Sequence, residues 1–199
     1  MAVQLRLGDE APNFTAEGTD GKEVRTINFH EDLGNSWGVL CSHPADFTPV
    51  CTTELGRLAA LRPEWESRNV KVYALSVDST ESHNKWIEDI NATQGTELNY
   101  PIFADEDKKI ATAYGMLCPE EPDSKGKLTV RSVFIIAPDK KIRIIITYPP
   151  STGRNFDEII RCVDSLQMTA TQKCATPVDW KHGDRAVIIP TVSNEEAEQ

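Results

Sequence analysis

The chain has no Cys-x-x-Cys pair, no long hydrophobic run, no basic stripe and no internal repeat, and each absence removes a class of protein. Its cysteines, Cys41, Cys51, Cys118, Cys162 and Cys174, are odd in number and widely spaced. That pattern excludes a secreted disulfide scaffold, a zinc ribbon and a thioredoxin-type dithiol site, and it predicts reduced thiols at rest. No stretch, the opening residues 1–8 included, has the apolar length of a signal peptide or a membrane span. The expectation is a cytoplasmic protein without an integral membrane segment. With 21 basic against 31 acidic residues the formal net charge is −10, which repels phosphates and excludes nucleic acid as a partner. What is present is an ordinary globular composition. A hydrophobic content of 39% argues against disorder, and 199 residues allow one full core with an appended arm.

The chemistry concentrates in the stretch from Ser42 to Leu55, SHPADFTPVCTTEL. Before it, Trp37 to Cys41 is a short apolar run with the character of a buried strand. After it, Leu58, Leu61 and Trp65 mark the inward positions of a helix running to about Arg68. Pro44 and Pro49 break regular structure between the two, since each lacks an amide donor. Cys51 therefore falls in the first turn of the helix. Unpaired amides and the positive end of the helix dipole favour a thiolate there, which makes Cys51 a candidate nucleophile. The alternative for any cysteine is a small buried hydrophobe, and Cys41, on the strand, fits it.

Around this centre the elements alternate. Phe14–Glu17 and Lys22–Val24 flank Asp20-Gly21 as a hairpin. His30 to Asn35 reads as a polar loop, Val70 to Val77 as a strand, and strand–helix–strand in that spacing as a right-handed βαβ unit. A helix over Ser82–Ile90, a loop to Pro101 and a short helix over Asp105–Tyr114 follow, then a charged loop over residues 120–127. Arg131–Ala137 and Ile142–Thr147 form an antiparallel pair, and Asn155 caps an amphipathic helix to Leu166. The order predicts an α/β fold with a mixed central sheet flanked by helices over residues 1–167. From about Met168 the texture is irregular. Trp180 and a short strand at residues 186–190 make residues 168–199 an arm that needs another surface to cover it.

Pro44, Thr48 and Cys51 form a Pro-x-x-x-Thr-x-x-Cys signature that resembles the peroxiredoxins, and the fuller string resembles their 1-Cys, peroxiredoxin-6-like subfamily. Thr147-Tyr148-Pro149 with residues 152–158, and Ala175 to Trp180, extend the likeness over nearly the whole chain. The resemblance implies a thioredoxin-like fold and a thiol peroxidase acting on hydrogen peroxide and organic or lipid hydroperoxides through a Cys51 sulfenic acid. It implies no metal and no cofactor, an external thiol reductant such as glutathione, and a homodimer in which the arm packs on the partner. By the same resemblance Arg131 stabilises the thiolate and polarises peroxide, Thr48 offers its hydroxyl, and Pro44 shields the sulfur. Glu54 and Arg154 form a supporting ion pair, and His43 lies near the sulfur. The position of a resolving cysteine in 2-Cys relatives is Thr176 here, with Cys174 two residues away. A second activity is also implied: His30, Ser36 in Gly-x-Ser-x-Gly and Asp139 match a phospholipase triad, with Asn35 where relatives commonly have Asp. A redox-regulated, chaperone-like oligomer is the third reading.

Overall fold

A computed structural model describes residues 4–118 and 127–193. The loop expected over 120–127, apart from Lys127, and the acidic end after Ser193 lie outside the described residues. The chain divides into two compact units, Met1–Arg154 and Asn155–Gln199.

The first unit is built on one seven-stranded sheet in the order β2-β1-β5-β4-β3-β6-β7. Its strands are β1 (Thr15–Thr19), β2 (Val24–Asn28), β3 (Trp37–Ser42), β4 (Val70–Ser76), β5 (Ile102–Ala104), β6 (Arg131–Ile136) and β7 (Ile142–Tyr148). β3 and β4 run parallel, as the βαβ spacing predicts, and β5 runs parallel to β4, while β1–β2, β1–β5, β3–β6 and β6–β7 are antiparallel. The helices are α1 (Phe29–Leu33), α2 (Pro49–Ala60), α3 (Arg62–Ser67), α4 (Thr80–Gln94) and α5 (Lys109–Ala113). Leu40, Tyr73, Leu75, Phe103 and Phe134 from neighbouring strands join Phe29 and Leu33 of α1 in one buried cluster. α2 crosses α4 closely at Gly56, where a Cβ would stand 2.4 Å from Cγ of Gln94. Asp20-Gly21 makes the β1–β2 turn, with Gly21 at φ +84.

Several elements differ from the sequence reading, each for a local reason. The expected loop at His30 is helix α1: the Asn28 side chain accepts from the Glu31 amide, and Phe29 and Leu33, four apart, bury one face. The expected long helix to Arg68 is two helices, because Pro63 cannot donate an amide hydrogen bond back across Leu61. β5 has three residues, too few for a periodic signal, yet it sits between β1 and β4. α5 begins late because the Asp105 carboxylate accepts from the amides of Ile110 and Ala111, at 3.0 and 2.7 Å. α4 begins at Ser79, whose hydroxyl caps the Ser82 amide, and ends at Gly95 in the left-handed region.

In the second unit α6 (Phe156–Thr171) begins at Asn155, whose side chain accepts from the amides of Asp157 and Glu158. It runs past Leu166, so the boundary read at 167/168 falls inside it. β8 (Cys174–Ala175) and β9 (Val187–Ile188) form a two-stranded antiparallel sheet. The Trp180 indole donates to the Asp184 carbonyl at 3.1 Å, and Arg161 reaches the Trp180 carbonyl at 3.4 Å.

Candidate active site

Thr48 is the N-cap of α2, with extended φ −96 and ψ 141, and Pro49 takes the first helical position where no amide is needed. Cys51 thus sits in the first turn, as the prolines predict. Its residue is completely buried, at 0% exposure. Nη1 of Arg131, projecting from the start of β6, donates to Cys51 Sγ at 3.3 Å. The same nitrogen donates to Glu54 Oε2 at 2.6 Å, and Nε and Nη2 both donate to the Pro150 carbonyl, at 2.9 and 2.7 Å. Every polar edge of this guanidinium is therefore engaged, and one edge faces the sulfur.

Glu54, one helical turn beyond Cys51, lies between two arginines. Arg154 donates to it from its backbone amide (2.7 Å), Nε (3.1 Å) and Nη2 (2.7 Å), and sends Nη1 to the carbonyls of Ser42 (2.8 Å) and Ser132 (3.3 Å). Burial opposes ionisation of Glu54, but the two guanidiniums outweigh it and hold its carboxyl below the ordinary range. Two cations against one carboxylate leave an unbalanced positive charge beside Cys51. Arg131, Glu54 and Arg154 are thus brought together with Cys51, from α2, β6 and the loop after β7.

The Thr48 hydroxyl donates to the Ala45 carbonyl at 3.0 Å, so what it offers outward is an oxygen lone pair. Pro44 is buried in the same loop. His43 is buried with Nε2 on Asp46 Oδ1 at 3.0 Å and Nδ1 without a partner among the described residues. Burial lowers its basicity against the pull of Asp46, so the ring is neutral, protonated on Nε2 and bare on Nδ1. Asp46 also accepts from His83 Nδ1 and Ser82 Oγ, both at 2.7 Å. Sequence reasoning missed this second layer. Its signal was that His83 precedes Trp86 by three residues and so shares the inward face of α4. The ligand atoms of His43, Asp46 and His83 lie within 4.8 Å of one another, but a cation there would have to displace the protons that already join them.

The other cysteines stand apart. Cys41 is buried and its thiol is pushed up to about 11 by desolvation, and Cys162 is raised to about 11 by burial and by its hydrogen bond to Glu158. Cys118 is buried as well. The hydrolase set is not assembled by hydrogen bonds. Ser36 Oγ donates to Asn69 at 2.9 Å, His30 Nε2 meets the Ala11 carbonyl at 2.8 Å, and Asp139 is taken by Arg143 and the Lys141 amide.

A cysteine at a helix N-terminus, faced by a buried arginine on a mixed thioredoxin-like sheet, is the arrangement of a thiol peroxidase, and the comparisons agree. The AhpC/TSA family profile matches residues 7–145, and the C-terminal domain of 1-Cys peroxiredoxin matches residues 165–199. Peroxiredoxin-6 of Gallus gallus is 57% identical over 98% of this chain and 88% of its own length. The 1-Cys peroxiredoxin of Dictyostelium discoideum is 53% identical over 98% and 78%. Among solved structures, a cysteine-to-serine mutant of Peroxiredoxin 6 of Arenicola Marina superposes with a TM-score of 0.91 at 51% identity, covering 98% of this chain and 88% of that one. A yeast mitochondrial 1-Cys peroxiredoxin, described for thiol resolving via glutathione/thioredoxin systems, gives 0.90 at 48%, covering 98% and 92%. The chain belongs to the peroxiredoxins, within their 1-Cys branch, and is a thiol-dependent peroxidase.

Proposed function

We propose that Cys51 is the peroxidatic cysteine and that hydrogen peroxide and organic or lipid hydroperoxides are its substrates. The observation that carries this is the 3.3 Å contact from Arg131 Nη1 to Cys51 Sγ, inside a cluster whose charge is left positive until the sulfur ionises. The thiolate attacks the nearer peroxide oxygen, the O–O bond breaks, and its electron pair leaves with the distal oxygen. The thiol proton, lost earlier, is matched by one taken up by the leaving oxygen, so thiol and hydroperoxide become sulfenic acid and alcohol or water. Arg131 holds the thiolate and faces the charge that develops on the peroxide, Thr48 Oγ1 accepts from the hydroperoxide O–H, and Pro44 keeps bulk water away. Glu54 and Arg154 fix Arg131, and the buried His43 holds the loop through Asp46.

The reductant is an external thiol, glutathione or a thioredoxin, by analogy with the yeast relative. Residues 168–199 serve as a dimer-contacting arm. Support comes from its exposed apolar side chains, with Val178 88%, Val187 54% and Ile188 50% exposed. Stopped-flow oxidation of the reduced protein by hydrogen peroxide, with each thiol then offered in turn, tests the first claims. An unchanged peroxide rate in Cys51→Ser overturns the assignment, and sedimentation of the full chain as a monomer overturns the arm. Mass spectrometry after one equivalent of peroxide is expected to find Cys51 as sulfenic acid, not joined to Cys174.

A further inference from the structure

We propose that His83 is a positioning residue of the peroxidase reaction, held as an imidazolium that fixes the Asp46 carboxylate and through it the loop presenting Cys51. The inference rests on the assignment of Cys51 as the reacting sulfur. Both nitrogens of the buried His83 ring face acceptors: Nδ1 meets Asp46 Oδ2 at 2.7 Å, and Nε2 meets the Phe103 carbonyl of β5 at 3.3 Å. A neutral ring carries one proton and would leave one of these contacts lone pair against lone pair. A doubly protonated ring satisfies both.

The charge count points the same way. Asp46 is ionised, since hydrogen bonds from His43 and His83 outweigh the burial that opposes it, and its partner His43 is neutral. With a neutral His83 the cluster would carry an uncompensated buried carboxylate, which is costly. With an imidazolium the Asp46 charge is matched. Among the described residues the other groups around the ring supply no alternative cation. Ser82 Oγ is a neutral donor to Asp46, the His43 ring lies 6.1 Å away, and Asp78 is a second carboxylate, held by Ser76 Oγ and the Asp46 amide. Asp105, two residues beyond Phe103, is occupied by the amides of Ile110 and Ala111.

The geometry connects this charge to the sulfur. Asp46 lies between Pro44 and Thr48, and from α4 it is held by His83 and Ser82, while Trp86 Nε1 donates to Thr52 Oγ1 at 3.0 Å. Phe47, next in the chain, is kept at φ +57, a conformation a bulky residue adopts only when its neighbours impose it. One face of α4 thus clamps the loop on both sides of Phe47, and the strongest jaw carries a proton.

The test follows the ring nitrogens of the full-length reduced protein by nitrogen-15 NMR while the peroxide rate is measured by stopped flow over the same pH range. Both His83 nitrogens are expected to be protonated at neutral pH, since each faces an acceptor. The rate is expected to fall on the alkaline side with the midpoint of His83 deprotonation. His83→Gln, which keeps a donor for Asp46 but cannot take a charge, is expected to react about tenfold more slowly at neutral pH and to lack that alkaline fall, as for residues that orient a reacting group through another. A single protonated nitrogen at neutral pH overturns the charge assignment. A charged ring whose titration does not coincide with the rate, or a His83→Gln variant with the wild-type rate and profile, overturns the positioning role. The NMR reading does not depend on which cysteine reacts, so it fails or succeeds separately from the Cys51 assignment.

Discussion

Replacing Glu54 by Gln removes one negative charge, and almost no volume, from between two guanidiniums. The residue is 4% exposed and accepts four hydrogen bonds, one from Arg131 Nη1 and three from the amide, Nε and Nη2 of Arg154, with both arginines meeting at Oε2. Glutamine presents one carbonyl oxygen and turns an NH2 group toward a cation, so at least one guanidinium edge is left buried and unpaired. Breaking a buried ion pair from one side costs about 3–5 kcal/mol. With a urea slope of about 2 kcal/mol per M, a loss of about 4 kcal/mol lowers the unfolding midpoint by about 2 M. The sign with pH gives a sharper check. The folded carboxyl is depressed, so its contribution is present above the unfolded value of about 4.3 and is lost as pH falls through the folded one. The gap between wild type and Glu54→Gln should therefore be full at neutral pH and shrink as both are acidified through the carboxylate range. Urea unfolding followed by tryptophan fluorescence at a series of pH values measures it. A gap under about 1 kcal/mol at neutral pH, or one that does not change with acidification, refutes the assignment of Glu54 as the keystone of the cluster.

Arg131→Met removes the donor to Cys51 Sγ and should slow peroxide reduction at neutral pH by about 100-fold or more, the scale for losing a preorganised charged donor, which stopped flow reads directly. Cys41→Ser and Cys162→Ser should keep most of the peroxide rate, because burial holds both groups as thiols, pushed up to about 11. Ser36→Ala should leave the peroxide rate unchanged within a factor of about two, since its hydroxyl is spent on Asn69; unfolding should cost no more than about 1 kcal/mol.

How much of this was legible in the sequence depended on how local the determinant was. The prolines at positions 44 and 49 are enough to place Cys51 in a first helical turn, and apolar runs are enough to mark β3, β4, β6 and β7. Arg131 and Arg154 could be tied to the site only through family resemblance, because no pattern in the chain links β6 to a helix that begins 82 positions earlier, from Pro49 to Arg131. Helix α1 was hidden by its length and polar middle, and β5 by having three residues. The Asp46–His83 contact spans 37 positions and joins two residues that look like ordinary loop and helix polar groups until the fold brings them together.

With Cys51 as the reacting sulfur, as proposed, its lack of exposed surface means that the two halves of the cycle meet different doors. A hydroperoxide presents a group little larger than water and needs only small side-chain movements to reach the sulfur. A reducing thiol carried on a peptide or a protein is bulkier and must approach the oxidised sulfur along the S–O axis, at a residue with no exposed surface. The first turn of α2, where Thr52 returns both its amide and its hydroxyl to the Thr48 carbonyl at 2.9 Å, is the segment expected to open for that step. Oxidation is therefore set by chemistry in the closed form and repair by the frequency of opening. A second peroxide arriving before the turn opens finds the sulfenic acid still in the pocket that activated the thiolate, so the stiffness of one helical turn sets the peroxide dose at which the enzyme begins to destroy its own nucleophile.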